Sequence, residues 1–255
     1  MIDALYTATS GLQSQQTQID TLSNNISNMQ TPGYKAKRVA FGDMAVMSPE
    51  QVQAGLTPER AGAGAEIIST QTLFSQGQMM QTGKTWDVAI QGEGFLEVVD
   101  GNGNRLYTRA GQLHVDNEGY VATPDGNRLA QNIQIPPDAT QIQINQNGQI
   151  YAIVGNGTSQ TLLGTFELST FPSPEGLQSV GGNNYVPTQA SGDPTVGKPN
   201  DNGTGSIVQG SLEGSNVDMI SEMSTLVIAQ RAYQLNARVL QASDQILDTI
   251  NNLRQ

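Results

Sequence analysis

Residues 226–253 read LVIAQRAYQLNARVLQASDQILDTINNL, and the spacing inside this run decides how the ends of the chain fold. Ile228, Ala232, Leu235, Val239, Ala242 and Ile246 alternate by fours and threes, and Leu253 follows one heptad later. That period lays an apolar seam along an α-helix. Leu226, Tyr233, Leu240 and Leu247 recur every seven residues as a second stripe on the same helix. Two stripes imply contact with more than one neighbour.

The other end carries the same period. Leu5, Leu12, Ile19 and Ile26 stand seven apart, with Ala8, Leu22 and Met29 at the three-residue offset and Gln15 interrupting it. The shared heptad predicts that the two ends pair. The N-terminal polar face is unusual: 16 of the first 30 residues are Gln, Asn, Ser or Thr, and only Asp3 and Asp20 are charged. A surface helix ordinarily shows Lys and Glu to water. An uncharged amide face suits a helix packed on several sides, where amides bond across interfaces without the desolvation cost of ions. Thr31-Pro32-Gly33 stops this helix, since proline lacks the amide and glycine permits the turn. Asn216 or Ser215 is predicted to cap the second helix, with Asp218 and Glu222 at its positive end.

Between the ends the period falls to two. Phe95–Val99 and Arg105–Thr108 flank Asp100-Gly101-Asn102-Gly103, Leu113–Val115 and Tyr120–Ala122 flank Asn117-Glu118-Gly119, and Ile142–Ile144 and Ile150–Val154 flank Asn147-Gly148. Alternating β-branched and aromatic runs around Asn-Gly or Asp-Gly turns are hairpin signals. The expected fold is mixed α and β: paired N- and C-terminal helices forming an α-helical coiled-coil domain, plus a compact all-β domain, elongated overall. The expected division is 1–35 with 216–255 as the helical domain, 36–85 as an extended connector, 86–190 as the β-rich domain and 191–215 as a returning loop.

Twelve bases against 23 acids give a formal charge of -11, which disfavours nucleic acid and anionic membrane as partners. Cysteine is absent, so disulfides and thiolate metal sites are excluded. No apolar run approaches the roughly 18–20 residues of a membrane helix, so membrane insertion is not expected. The N-terminus lacks a basic region followed by an apolar one, so no cleaved signal peptide is expected.

Chemistry finds little purchase. His114 is the one histidine and has no adjacent Ser or Cys partner. The Asp100–Asn104 run resembles the start of a calcium loop, but its twelfth position is Gly111 where a bidentate glutamate is needed. Gly92-Glu93-Gly94 lacks the third glycine and the lysine of nucleotide-binding loops. Catalytic, cofactor-binding and metal-ligating residues are therefore expected to be none, and the protein is not expected to be an enzyme.

Two blocks carry a resemblance. Asn24-Asn25-Ile26-Ser27-Asn28 followed by Thr31-Pro32-Gly33-Tyr34-Lys35 resembles the N-terminal signature of the flagellar axial proteins, the rod and hook family. Leu212-Glu213-Gly214-Ser215-Asn216-Val217, then Ala229-Gln230-Arg231-Ala232-Tyr233 and Asn236, is similar to the C-terminal signature. Asp87–Phe95 and Tyr107–Gly111 look like the family's central β blocks. The resemblance implies a structural subunit that polymerises into a helical tube and transmits torque from motor to hook. The terminal helices would line up in the inner layer, and subunit packing would fall on Leu5, Leu12, Ile19, Leu22, Ile26, Leu226, Ile228, Tyr233, Leu235, Val239, Leu240, Ile246 and Leu247.

It further implies a homo-oligomer that meets other rod proteins, hook subunits or junction proteins, and the surrounding outer-membrane and peptidoglycan ring proteins. The flagellar export apparatus would deliver it to a rod spanning the periplasm. Length and the single modest β domain resemble members from the distal part of the rod. The stretch from Phe41 to Trp86 is shorter than such members lead one to expect, which keeps the proximal rod in view. A different class, a periplasmic cell-wall-acting or glycan-binding protein, would require a concave site with converging carboxylates or aromatics.

Overall fold

The computed structural model describes residues 2–45, 62–154, 160–201 and 203–253. The chain divides into two compact units: Met1–Ser27, Lys37–Gln71 and Asp218–Gln255 in the first, and Asn28–Ala36 with Thr72–Val217 in the second.

The first unit holds α1 (Ile2–Ser27) and two strands, β1 (Lys37–Ala45) and β2 (Gly62–Thr72), paired as a two-stranded sheet. Its last element is the long C-terminal helix Met219–Leu253, called α2 here. The two helices pack on each other. Ala8 and Leu22 of α1 and Ala229 of α2 are buried. Gly11 permits the close approach, because a Cβ there would stand 2.9 Å from Asn236 Nδ2. β2 crosses α1 where Ser14 Oγ donates to the Ala65 carbonyl at 3.0 Å. At Gly64, φ is +116° and a Cβ would fall on Ser10 Oγ, so glycine is required twice over. Thr9, Thr17 and Thr21 turn their hydroxyls back to the carbonyls of Leu5, Gln13 and Thr17, satisfying them within the helix.

Among the described residues the regular structure of the second unit is all strand but for one short 3-10 turn at Pro174–Gly176. In chain order it contains β3 (Met79–Gln81), β4 (Val88–Gln91), β5 (Phe95–Val99), β6 (Arg105–Thr108), β7 (His114–Val115), β8 (Val121–Ala122), β9 (Arg128–Leu129) and β10 (Ala139–Ile144). There follow β11 (Gln149–Val154), β12 (Gln160–Thr165), β13 (Leu168–Thr170), β14 (Gln178–Gly181), β15 (Asn184–Val186), β16 (Thr195–Gly197), β17 (Ser206–Gln209) and β18 (Ser211–Glu213). The main sheet runs β14-β15-β6-β5-β9-β8-β7, with β13 and β16 added beside β5. β10-β11-β12 form a second sheet, and β17 pairs with β4 as β18 does with β3. Its principal core contains Val98, Leu129, Ile150 and Phe166, all fully buried, with Trp86 packed against its side.

The three expected hairpins form: Val98 opposes Leu106, Val115 opposes Val121, and Ile144 opposes Ile150. Asp100 Oδ1 accepts the amides of Asn102 and Asn104 at 2.8 Å each, which accounts for the Asp and Asn of that turn. His114 is exposed on β7.

The division of the chain differs from the expected one in three places. The N-terminal helix ends at Ser27, and residues 28–36 belong to the strand-rich unit. The expected connector, 36–85, carries the paired β1 and β2 as well as β3, although its residues 46–61 lie outside those described. The expected loop at 191–215 contains β16, β17 and β18. In the expected loop the pairing partners are distant, such as Leu168↔Gly197 and Glu213↔Met79. A local reading of Gly, Pro and Asn therefore registers only a loop.

The cap of α2 also differs. Asp218 takes it, with Oδ1 accepting the Ile220 amide at 3.1 Å, while Ser215 Oγ accepts only the Val217 amide. Asn216 is engaged elsewhere.

Candidate assembly site

The quoted N-terminal block ends in a turn whose amides are committed. Thr31 N donates to Asn28 O at 3.0 Å, and Tyr34 N to Thr31 O at 3.2 Å. Gly33 has φ +73°, and a Cβ would lie 2.7 Å from the Ala110 backbone. Its amide donates to the Glu213 carbonyl at 2.8 Å, so the first quoted block touches the second. Pro32 joins in through its carbonyl, which accepts from Asn183 Nδ2 at 3.2 Å.

Behind this turn lies a buried charge cluster. Lys35 Nζ donates to Glu213 Oε1 at 2.6 Å and to the Ser75 carbonyl at 2.8 Å, with both charged side chains wholly shielded from solvent. Arg109 Nη1 reaches Glu213 Oε2 at 3.3 Å, Nη2 donates to Gly92 O at 2.8 Å, and the guanidinium stacks over Phe95. The Gly77 amide also donates to Glu213 Oε1 at 2.9 Å. Burial lowers the Lys35 ammonium below its ordinary pKa of 10.5, and the Glu213 carboxylate opposes that shift. Beside the cluster Phe74, Phe95, Tyr107, Phe171 and Tyr185 meet edge to face. Burial raises the Tyr185 phenol.

Asn216 acts as a length of strand. Its Oδ1 accepts the Ala36 amide and its Nδ2 donates to the Leu73 carbonyl, both at 2.7 Å, while Leu73 N donates to Ala36 O. One side-chain amide thus continues a backbone ladder across two segments. Asn25 does the same within the helical unit. Its Nδ2 donates to Lys37 O at 2.8 Å and its Oδ1 accepts Lys37 N at 2.9 Å, and Nδ2 also reaches Glu222 of α2 at 3.2 Å.

The other motif residues are placed less tightly. Gly33 and Tyr34 are buried, and Asn28, Thr31, Pro32, Ser215, Val217 and Ala232 are half-buried. Asn24, Gln230 and Arg231 are exposed. Lys35, Arg109 and Glu213 stand inside the quoted blocks, but nothing in the sequence signals that these three meet.

The packing residues sort by helix face. Leu22 is buried, and Leu5, Leu12, Ile19, Ile26, Leu226 and Leu240 are half-buried. Ile228, Leu235, Val239 and Ile246 are 67%, 60%, 49% and 50% exposed, and Tyr233 is 37% exposed. The side chain of Leu247 lies outside those described. The large residues of the seam at 228–246 are therefore mostly exposed, while Ala229 is buried and Asn236 is the α2 residue that approaches Gly11 of α1. These side chains form a row of exposed apolar surface along one helix.

Three family models match along the chain: the flagella basal body rod protein model over residues 5–35, the flagellar hook protein FlgE/F/G D1 domain over 89–152, and the flagellar basal body rod FlgEFG protein C-terminal model over 208–253. They define the class as the axial structural proteins of the flagellar rod and hook. Full-length relatives narrow it. The chain is 36% identical to the flagellar basal-body rod protein FlgG of Agrobacterium fabrum, over 97% of this chain and 98% of that one. It is 36% identical to that of Borreliella burgdorferi over the whole of both chains, and 35% identical to that of Buchnera aphidicola from Acyrthosiphon pisum over 99% and 100%. The chain belongs to the family of the flagellar basal-body rod protein FlgG. It is a structural protein of the flagellar basal body, a place that implies assembly with other basal-body and hook components.

Proposed function

We propose that this protein polymerises into a helical tube forming the distal part of the rod and transmits torque from motor to hook without catalysing a reaction. The exposed seam on α2 carries the reading. Burying one large aliphatic side chain is worth about 1.5–3 kcal/mol, and Ile228, Leu235, Val239 and Ile246 leave 49–67% of their surface unburied in the single chain. In this reading α1 and α2 pair as a coiled coil, and the seam meets α-helices of neighbouring copies. Contacts of that head-to-tail kind that do not close into a ring generate a filament.

The partners that go with this role are other rod proteins, hook subunits or junction proteins, and the outer-membrane and peptidoglycan rings around a rod that spans the periplasm. The flagellar export apparatus delivers the chain without a cleaved signal. Terminal helices that complete their packing only on the growing end couple folding to assembly.

Leu235→Asp tests the reading. Its side chain is exposed in the single chain, so thermal unfolding should move little, whereas sedimentation and electron microscopy should show loss of tubes. Tubes forming at wild-type concentration would sink it.

A further inference from the structure

Two turns of the strand-rich unit share one hydrogen-bond pattern and one dipeptide. Between β5 and β6, Asp100 N donates to Asn104 O and Gly103 N to Asp100 O, both at 3.0 Å. Between β10 and β11, Asn145 N donates to Gln149 O and Gly148 N to Asn145 O, both at 2.9 Å. Each turn carries an Asn-Gly pair, Asn102-Gly103 and Asn147-Gly148, with glycine at φ +85° and +78°. Both asparagines are exposed.

The surroundings of the two glycines differ. Nothing stands within 4 Å of where a Cβ on Gly103 would lie, and residues 101–105 are all exposed. Gly148 is buried, and a Cβ there would lie 2.7 Å from Pro199 Cγ and 2.8 Å from Phe166 O. Its carbonyl also accepts the Phe166 amide at 2.8 Å. One glycine is open and the other is pinned.

We propose that Asn102 is a site of spontaneous deamidation and that Asn147 is protected from it. The reaction is intramolecular. Gly103 N gives up its proton to water and bonds to Asn102 Cγ, the Cγ–Nδ2 bond breaks, and ammonia leaves with a proton returned by water, closing a five-membered succinimide. Water then opens the ring at either carbonyl, leaving aspartate or, with the backbone rerouted through the side chain, isoaspartate. Ring closure requires the glycine amide to leave its turn hydrogen bond and swing onto the preceding side chain. An open glycine can do so, whereas Gly148 would have to displace Pro199 or Phe166 from close packing. Asp100-Gly101 offers the same ring, but Asp100 accepts from Asn102 N, Asn104 N and Asn104 Nδ2, which favours the ionised and poorly electrophilic carboxylate. The product sets a second carboxylate beside Asp100 and disturbs the residue-102 amide that Asp100 Oδ1 accepts. None of this depends on the tube-forming role.

The test holds the wild-type chain in mildly alkaline heavy-oxygen water, folded and in urea, and follows each Asn-Gly peptide by mass spectrometry. In the folded chain Asn102 should convert to heavy-labelled aspartate and isoaspartate about tenfold or more faster than Asn147. In urea the two rates should converge, and Asn102→Ser should leave its peptide unlabelled. Equal rates in the folded chain, an Asn102 that reacts only in urea, aspartate formed without isoaspartate, or a labelled Asn102→Ser peptide would each overturn the proposal.

Discussion

The two units bury their apolar residues to opposite degrees. In the strand-rich unit, Val98, Leu129, Ile150, Phe166 and Leu168 are shielded completely, and even its ion pair at Lys35 and Glu213 is dry. In the helical unit, the buried apolar residues of α1 and α2 are Ala8, Leu22 and Ala229, while Ile220, Ile228 and Leu235 stand at least 60% exposed. One unit buries its largest apolar side chains; the other leaves them exposed. In the proposed role the two suit different tasks: the strand-rich unit can fold by itself, and the helical unit completes its packing as it assembles.

The largest expected effect follows from that difference. Leu235→Asp should abolish assembly while leaving unfolding of the single chain within about 0.5 kcal/mol of wild type, as ordinary exposed positions do. A large drop in melting temperature would show that the seam is satisfied within the chain and would erase the contrast. Next, Lys35→Met leaves Glu213 buried without its ammonium partner and should destabilise the strand-rich unit by about 3–5 kcal/mol, read from urea unfolding. The double variant Lys35→Met/Glu213→Leu leaves buried Arg109 without its carboxylate and should recover none of the loss.

Ala229→Leu forces extra volume between α1 and α2 and should cost about 1–3 kcal/mol, seen as earlier loss of helix signal. Asn216→Ala removes the amide that bridges Ala36 and Leu73 and should cost about 1–3 kcal/mol by leaving buried backbone groups unpaired. Faster hydrogen exchange at Ala36 would locate that change. Smallest is the acid response of the β5–β6 turn. Bonds from the Asn104 side chain and backbone hold the Asp100 carboxyl below its ordinary 3.8, so its contribution is present above pH 3.8 and fades as pH falls through the lowered folded-state value. Nuclear magnetic resonance titration of Asp100 should show that midpoint, and Asp100→Asn should remove it.

What the sequence revealed was local. The helices at 2–27 and 219–253 and the three hairpins were legible because each announces itself within ten or twenty residues, by a heptad or by alternation around a Gly turn. What was hidden was remote. β1 with β2, β13 with β16, and Lys35 with Glu213 are pairings whose partners no local period can name. The sense of the α2 seam was hidden for another reason. The heptad ran through Ile228, Ala232, Leu235 and Val239 and passed over buried Ala229 and over Asn236, which approaches Gly11, because a period shows a stripe and not what covers it. Ala229 lies in neither stripe and is among the most buried residues of the helix.

The Lys35–Glu213 pair also sets a schedule. Its partners stand 178 residues apart, and closing a loop of that length is slow compared with forming the hairpins inside it. A chain threaded out from its N-terminus would emerge with Lys35 early and Glu213 late. Its hairpins can form in transit, but the knot of charge that completes the strand-rich unit must wait until residue 213 has arrived. The clasp thus closes only when nearly the whole strand-rich unit is present.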